Sequence, residues 1–378
     1  MNSADVLIVG AGIVGAACAF ELASAGLRVV VLEEKFTAAG ATGAAMGHIV
    51  VMDDSEAQFA LTRYSQHLWN ELREELPANV EFDPCGTIWV AADEQQRSEA
   101  RQKCKYYQAR GVPAQLIDGD ALQRAEPLLR TSLCGGLVVR EDSVVYPPAA
   151  ASFLLQRAVD RRARVCFGKP AVEFGRGQAR LSDGTTFSAK YLLNAAGSNA
   201  SRLTPSIQVR PRKGHLVITD RYPRTVHHQL VELGYLQSAH SLTSDSVAFN
   251  VQPRKTGQIL IGSSRQYDTA DDEVDSNIVS RMLNRAFEFI PHLRALSAIR
   301  VWTGFRPATP DKLPLIGPWA EDETVLLATG HEGLGITTSL GTAKLIRAQV
   351  LGEALPISIE PYLPSRSMAV EHQVETHA

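Results

Sequence analysis

The chain has 378 residues, 45% of them apolar and 21% charged, with a net charge of −3 at neutral pH. That length is comfortable for two domains and supports a large core, while the balanced charge offers no basic face and argues against nucleic acid as a partner. The apolar start carries no positive leader, and Gly10, Gly12 and Gly15 interrupt it well short of the roughly 20 apolar residues of a membrane span.

Asp5 to Glu34 reads DVLIVGAGIVGAACAFELASAGLRVVVLEE. Val6 to Val9 is a buried strand, Ile13 to Ala25 a helix that breaks at Gly26, and Arg28 to Leu32 a second strand ending on Glu33. The stretch is a complete βαβ unit with GxGxxG at its strand-to-helix turn and an acid at the tip of the second strand. Gly10 permits the tight turn, Gly12 lets backbone N–H groups approach a pyrophosphate, and Gly15 lets helix and strand pack closely. The helix N-terminus at Ile13 and Val14 supplies partial positive charge for the phosphates, and Glu33, followed by Glu34, accepts from a ribose 2′-hydroxyl.

Phe36 to Val51, FTAAGATGAAMGHIVV, is small, glycine-rich and almost uncharged, as suits backbone running along a flat ligand. Asp53 to Leu76 is helical, with Phe59, Leu61, Tyr64, Leu68, Leu72 and Leu76 near a 3.6-residue spacing, and Pro77 stops it. Phe82 to Ala92 reads as a strand, Asp93 to Arg110 as a charged helix, Asp118 to Leu129 as a short helix and Cys134 to Val139 as a strand. Pro147 to Arg161 is an amphipathic helix whose basic end, Arg161, Arg162 and Arg164, reads as solvated. Arg164 to Phe167 is a short strand, Ala171 to Phe187 a hairpin turning at Asp183-Gly184, and Tyr191 to Ala196 a buried strand ending in Gly197. Val209 to Ile218, Ser246 to Gln252 and Gln258 to Ser264 are strands, and Asn277 to Phe289 is a helix. Val301 to Gly317, VWTGFRPATPDKLPLIG, carries three prolines and two glycines and reads as a rigid, tightly turning segment. Val325 to Ala328 is a strand, Gly330 to Gly335 a turn, and Ile336, Leu340, Ala343, Ile346 and Val350 share one helical face. The tail from Ser365 to Ala378 has little to bury and reads as frayed. Cys18, Cys85, Cys104, Cys134 and Cys166 include no CxxC pair, so they read as small hydrophobes, not as a disulfide frame, metal site or cluster.

The fingerprint ending in Glu33-Glu34, the Gly-Ala-Thr-Gly stretch before Met46-Gly47-His48, and the Gly-x-Arg-Pro segment at Gly304 to Pro307 resemble the FAD-dependent amine and D-amino acid oxidoreductases. This is the family of glycine oxidase, sarcosine oxidase and D-amino acid dehydrogenase, and the resemblance runs to about Tyr362. It implies an α/β, Rossmann-like FAD-binding domain in three pieces (1–52, 143–217, 301–364). Interleaved with it is an α+β substrate domain on an antiparallel sheet (53–142, 218–300), followed by a flexible tail (365–378). Ala41 and Thr42 would sit by the pyrophosphate, Met46, Gly47 and His48 under the flavin, and Val172 would bracket the adenine through its backbone. Ala196, Gly197, Gly304 and the run His331, Glu332, Gly333, Leu334, Gly335, Ile336 and Thr337 would line the cofactor. No cysteine falls in the C-terminal flavin segment, so the FAD is expected to be noncovalent.

The same resemblance gives Arg306 the substrate carboxylate, a role its planar, permanently charged fork suits; the alternative is a structural salt bridge. Asn250 either faces the substrate or is an ordinary strand asparagine, and His48 either touches flavin or substrate or is a structural histidine. Where glycine oxidase has a second pocket arginine this chain has Gly333, with Glu332 beside it, a carboxylate suited to a substrate with an extra hydroxyl or amine. The implied reaction is hydride transfer from the Cα–H of a small amino or imino acid to flavin N5, with no metal and no strong general base. The C-terminal segments look most like the FAD subunits of D-hydroxyproline dehydrogenase and opine oxidase systems, which work beside flavin or iron–sulfur subunits or a quinone. Two alternatives stand: an oxidase that reduces O₂, and a flavin-holding subunit without catalysis. The expected location is cytoplasmic, either free or peripheral to the inner membrane.

Overall fold

The computed structural model describes residues 2–234, 245–267, 269 and 271–366, which form two eight-stranded sheets and a two-stranded ladder. The first sheet runs Leu315–Trp319, Asp322–Thr329, Thr186–Asn194, Ser3–Val9, Val29–Glu33, Arg164–Phe167. Four of its pairings are parallel, the arrangement that crossover connections produce. Alternation along Ser3–Val9 decides what covers each face. Val6 and Ile8 pack against the helices Ile13–Ser24, Pro147–Val159 and Gly335–Leu351, and Leu7 and Val9 pack with Ala179, Phe187 and Trp319.

The expected Ala171–Phe187 hairpin is instead a meander. Ala171–Gly175, Gln178–Leu181 and Thr186–Asn194 pair in succession, and an additional turn sits at Arg176 and Gly177, both at positive φ. The segment expected to begin a new strand at Tyr191 continues the last of these.

The second sheet runs Ala298–Ala308, Arg210–Thr219, Ile259–Arg265, Ser246–Pro253, Gln229–Glu232, Thr87–Ala91, Gly135–Val139, Ala114–Asp118. It is antiparallel except where Gln229–Glu232 lies parallel to Thr87–Ala91. Arg210–Thr219 and Ala298–Ala308 pair with each other in this sheet, although the sequence division places most of both in the nucleotide-binding pieces. Val301–Gly317 therefore does not turn throughout: it is strand to Ala308 and turns only after it. Ala298–Ala308 is an edge strand, so the missing N–H of Pro307 costs the sheet little.

Parity then sorts the second sheet. Val217, Phe249, Val251 and Ile261 pack toward helix Ser276–Phe289, with Phe249 stacked on Phe289 at 4.3 Å. Trp89, Arg212, Asn250, Gln252 and Arg306 hold the opposite parity and lie on the other face.

Of the expected loose tail, Arg366 is held by Asp311 at 2.6 Å and by the Leu313 and Pro314 carbonyls; residues 367–378 lie outside those described. Cys18 and Cys104 are buried, whereas Cys85, Cys134 and Cys166 are partly exposed; all five are unpaired. Among the described residues no helix is long and apolar enough to cross a membrane.

Asp142 is 1% exposed. Its Oδ1 accepts from the Val51 N–H at 3.2 Å and the Gln66 amide at 2.8 Å, yet burial pushes its carboxyl up to about 7. A carboxyl raised this way stabilises the fold below the unfolded value near 3.8, and that contribution is lost as pH rises through about 7. Asp142→Asn keeps the acceptor without the charge, so its melting temperature relative to the parent should be higher at pH 8 than at pH 4. A pH-independent difference would refute this account.

Candidate functional site

A cavity of about 520 Å³ opens between the two sheets. At one end lies the first strand-to-helix turn. Gly10 has φ +110°, and a side chain there would run into the Ala195 carbonyl; a side chain at Gly15 would strike the Gly10 carbonyl. Gly15 accordingly stands behind the cavity wall as a packing glycine, while Gly10, Gly12, Ile13 and Val14 line it. Helix Ile13–Ser24 has Gly12 at its N-cap, which offers no capping side chain, and this leaves first-turn N–H groups beyond that of Ile13 for an anion. Thr42 braces the turn by accepting from the Ile13 N–H at 3.0 Å. Glu33 accepts from the N–H groups of Ala11 and Lys35 at 2.8 and 2.9 Å and, as a carboxylate with about four lone-pair sites, keeps capacity for a hydroxyl donor.

A second helix, Gly335–Leu351, also starts at this cavity without a side-chain cap; Gly335 and Ile336 line it, as do Glu34, Ala41, Met46, Gly47, Ala196, Gly197, Gly304, His331, Glu332 and Gly333. Thr337 is fully buried behind it, donating to the His48 carbonyl at 2.9 Å and accepting from the Val50 N–H at 3.3 Å. Leu334 lines a neighbouring cavity. Val172 lies off the wall with its side chain half exposed, and Lys169, Pro170 and Ala171 hold that place.

That neighbouring cavity, of about 100 Å³, shares His48, Asn250, Arg306, Glu332 and Gly333 with the large one. Arg306 donates to the Ser264 carbonyl at 3.0 Å, and its guanidinium occupies the space a side chain at Gly214 would fill. Arg212 is its partner across the strands; Arg212 pairs with Glu332 and donates to the Tyr267 hydroxyl at 3.1 Å. Glu332 has φ +52°, and its N–H is fixed on the Pro307 carbonyl at 3.0 Å.

His48 Nε2 lies 3.4 Å from the Asn250 amide nitrogen. Burial lowers His48 to about 4, with the nearby Arg306 charge acting the same way against hydrogen bonding that favours the charged form. It is neutral near pH 7 and works as a hydrogen-bonding group. His331, lowered by burial to about 3, bonds Thr342 at 3.0 Å and is neutral as well.

Sequence reasoning missed Arg212, Trp89 and Gln229 on the small cavity and Arg202 on the large one. Arg212 stood in a basic-looking PRKGH run; only the register opposite Arg306 sets it apart. The other three carry no local signal.

The geometry has counterparts. Residues 5–349 match the family model described as FAD dependent oxidoreductase. The hydrogen cyanide synthase subunit HcnC of Pseudomonas aeruginosa is 29% identical, the match covering 96% of each chain. Glycine oxidase of Geobacillus kaustophilus is 28% identical, covering 96% of this chain and 97% of that one. The crystal structure of glycine oxidase from that organism superposes with a TM-score of 0.87 at 26% identity, covering 97% of this chain and 99% of the other.

Glu33→Ala should raise the dissociation constant for FAD by about ten- to a hundredfold, the loss of one or two charge-assisted hydrogen bonds. Fluorescence of flavin released on ultrafiltration reads this directly, and parent-like retention would remove Glu33 from the binding set.

Proposed function

The chain belongs to the FAD-dependent oxidoreductase family, and we propose that it oxidises the Cα–N bond of a small amino or imino acid. Within that class the substrate is D-hydroxyproline or a related D-amino acid, and electrons leave to a partner subunit or quinone. The residues present fit FAD: two helix N-termini without capping side chains and the spare acceptor capacity of Glu33 face one large cavity. Bound there, FAD supplies a hydride acceptor at N5.

The observation that carries the reading is Arg306. It stands on the wall common to both cavities, over a glycine that leaves it room, where its fork binds a carboxylate bidentately and fixes Cα toward the larger cavity. Neutral His48 and Asn250 sit beside it and orient the amine without charging it. As for the acceptor, HcnC is by its name a subunit of a synthase, in keeping with electron export to a partner. The likeness to glycine oxidase favours a second reading, in which O₂ is the acceptor.

Anaerobic mixing of the yellow protein with D- and L-amino acids, prolines and N-methylglycine tests this. Bleaching of the flavin band is expected, whereas a band unmoved by all of them would leave a flavin-holding subunit without catalysis. Peroxide formed in air with the bleaching substrate would select the second reading. Arg306→Ala should lose about 3 kcal/mol of transition-state stabilisation, roughly a hundredfold in kcat/KM, by abandoning a desolvated carboxylate. Unchanged constants would refute the assignment.

A further inference from the structure

We propose that the small cavity is a substrate side-chain subsite that selects a hydroxyl group, read by the Trp89 indole N–H and the Glu332 carboxylate. The proposal rests on the reading of Arg306 as the carboxylate clamp, because a molecule held there at the shared wall points its side chain into this cavity.

The subsite is built before any ligand arrives. Trp89 is 2% exposed and lines the cavity; its ring is packed under the Lys103 ammonium at 4.6 Å, and its buried N–H has no hydrogen-bond partner. Glu332 is anchored through Oε2 on Arg212, with both side chains under one-tenth exposed. As a carboxylate it keeps lone pairs beyond the one that Arg212 takes. The side-chain oxygens of Gln229 and Asn250, 3% and 4% exposed, are likewise unbonded on the same walls. Buried polar atoms are almost always paired, so the unpartnered Trp89 N–H and the Gln229 and Asn250 oxygens on one small cavity point to a polar occupant.

The chemistry of the pair defines that occupant. An indole N–H only donates, so the occupant needs a lone pair; a carboxylate paired with a guanidinium accepts, so the occupant needs a proton to give. A hydroxyl meets both demands with one atom. A methyl group meets neither, an ammonium leaves Trp89 unsatisfied, and a carboxylate has no proton to give Glu332. Sites that bond a substrate hydroxyl reject the analogue lacking it far more strongly than apolar pockets reject a missing methylene.

The test compares kcat/KM for 4-hydroxyproline with proline, in both enantiomers, and for serine with alanine, on the holoenzyme. Binding without turnover is read in parallel from the flavin absorbance shift with 3-hydroxycyclopentanecarboxylate and cyclopentanecarboxylate, which lack the reacting nitrogen. We expect the hydroxylated member of a pair to lead by about a hundredfold or more in kcat/KM and to bind more tightly. Trp89→Phe and Glu332→Gln should each shrink that ratio by about tenfold, the effect of one hydrogen bond to the substrate. A ratio within threefold of unity in the parent, as for a water-filled void, overturns the subsite and leaves amine oxidation standing. A ratio unchanged in both variants, with both substrates slowed alike, assigns Trp89 and Glu332 to structure and overturns it too. Failure to oxidise any amino or imino acid instead removes the reading of Arg306 from which the proposal starts.

Discussion

Residues 44–52 form a strap of small and apolar residues between the two sheets, and the rest of the site depends on how that strap is tied. Its backbone is held by side chains that come from elsewhere. Trp302 donates to the Ala44 carbonyl, Gln252 to Met46, Thr337 to His48 and Tyr107 to Val51, while Asp142 and Thr62 accept from Val51 and Met52. A ladder with Ser143–Val144 completes the set. Buried backbone must be paired somewhere, and here each pairing group belongs to a different element. The strap is therefore a point of agreement among the second sheet, the helices Glu56–Leu72, Glu94–Ala109 and Gly335–Leu351, and the short ladder. His48 is placed where the two cavities meet because all of those elements place it.

The electrostatics follow from the same enclosure. Two guanidiniums, Arg212 and Arg306, oppose each other across adjacent strands, an arrangement that repels unless anionic charge lies near. Glu332 supplies it for Arg212 from the turn before the last helix. A buried pair of this kind is weak evidence for stability, since desolvating both charges offsets much of their attraction. Its value at this position is orientation: it fixes a carboxylate that would otherwise rotate, and it holds Arg212 away from the place of Arg306. Desolvation keeps His48 and His331 neutral as well.

The parts of this architecture that could be read from the residues are those in which neighbours in sequence are neighbours in space. The βαβ unit from Val6 to Glu33 is one, and the turn and helix from Gly330 to Val350 is another. In both, glycines mark close approach and apolar spacing marks the buried face. What escaped is non-local. Gln229–Glu232 and Ala114–Asp118 are too short to show alternation, and they are strands only because Thr87–Ala91 and Gly135–Val139 pair with them. Trp89 looked like any apolar strand residue until parity put it opposite Val231 on the cavity side. The proline-rich stretch after Val301 was read through its turn formers, but an edge strand tolerates proline, and the sheet extended it to Ala308.

One consequence of the chain's path concerns its birth. Gly10 and Ile336 stand on walls of the same cavity, and Ser3–Val9 is flanked by Thr186–Asn194, itself flanked by Asp322–Thr329. During synthesis the first strand-to-helix turn therefore leaves the ribosome long before its floor does, with apolar faces waiting on partners still untranslated. The cavity that both turns line is thus complete only once the helix Gly335–Leu351 has been made.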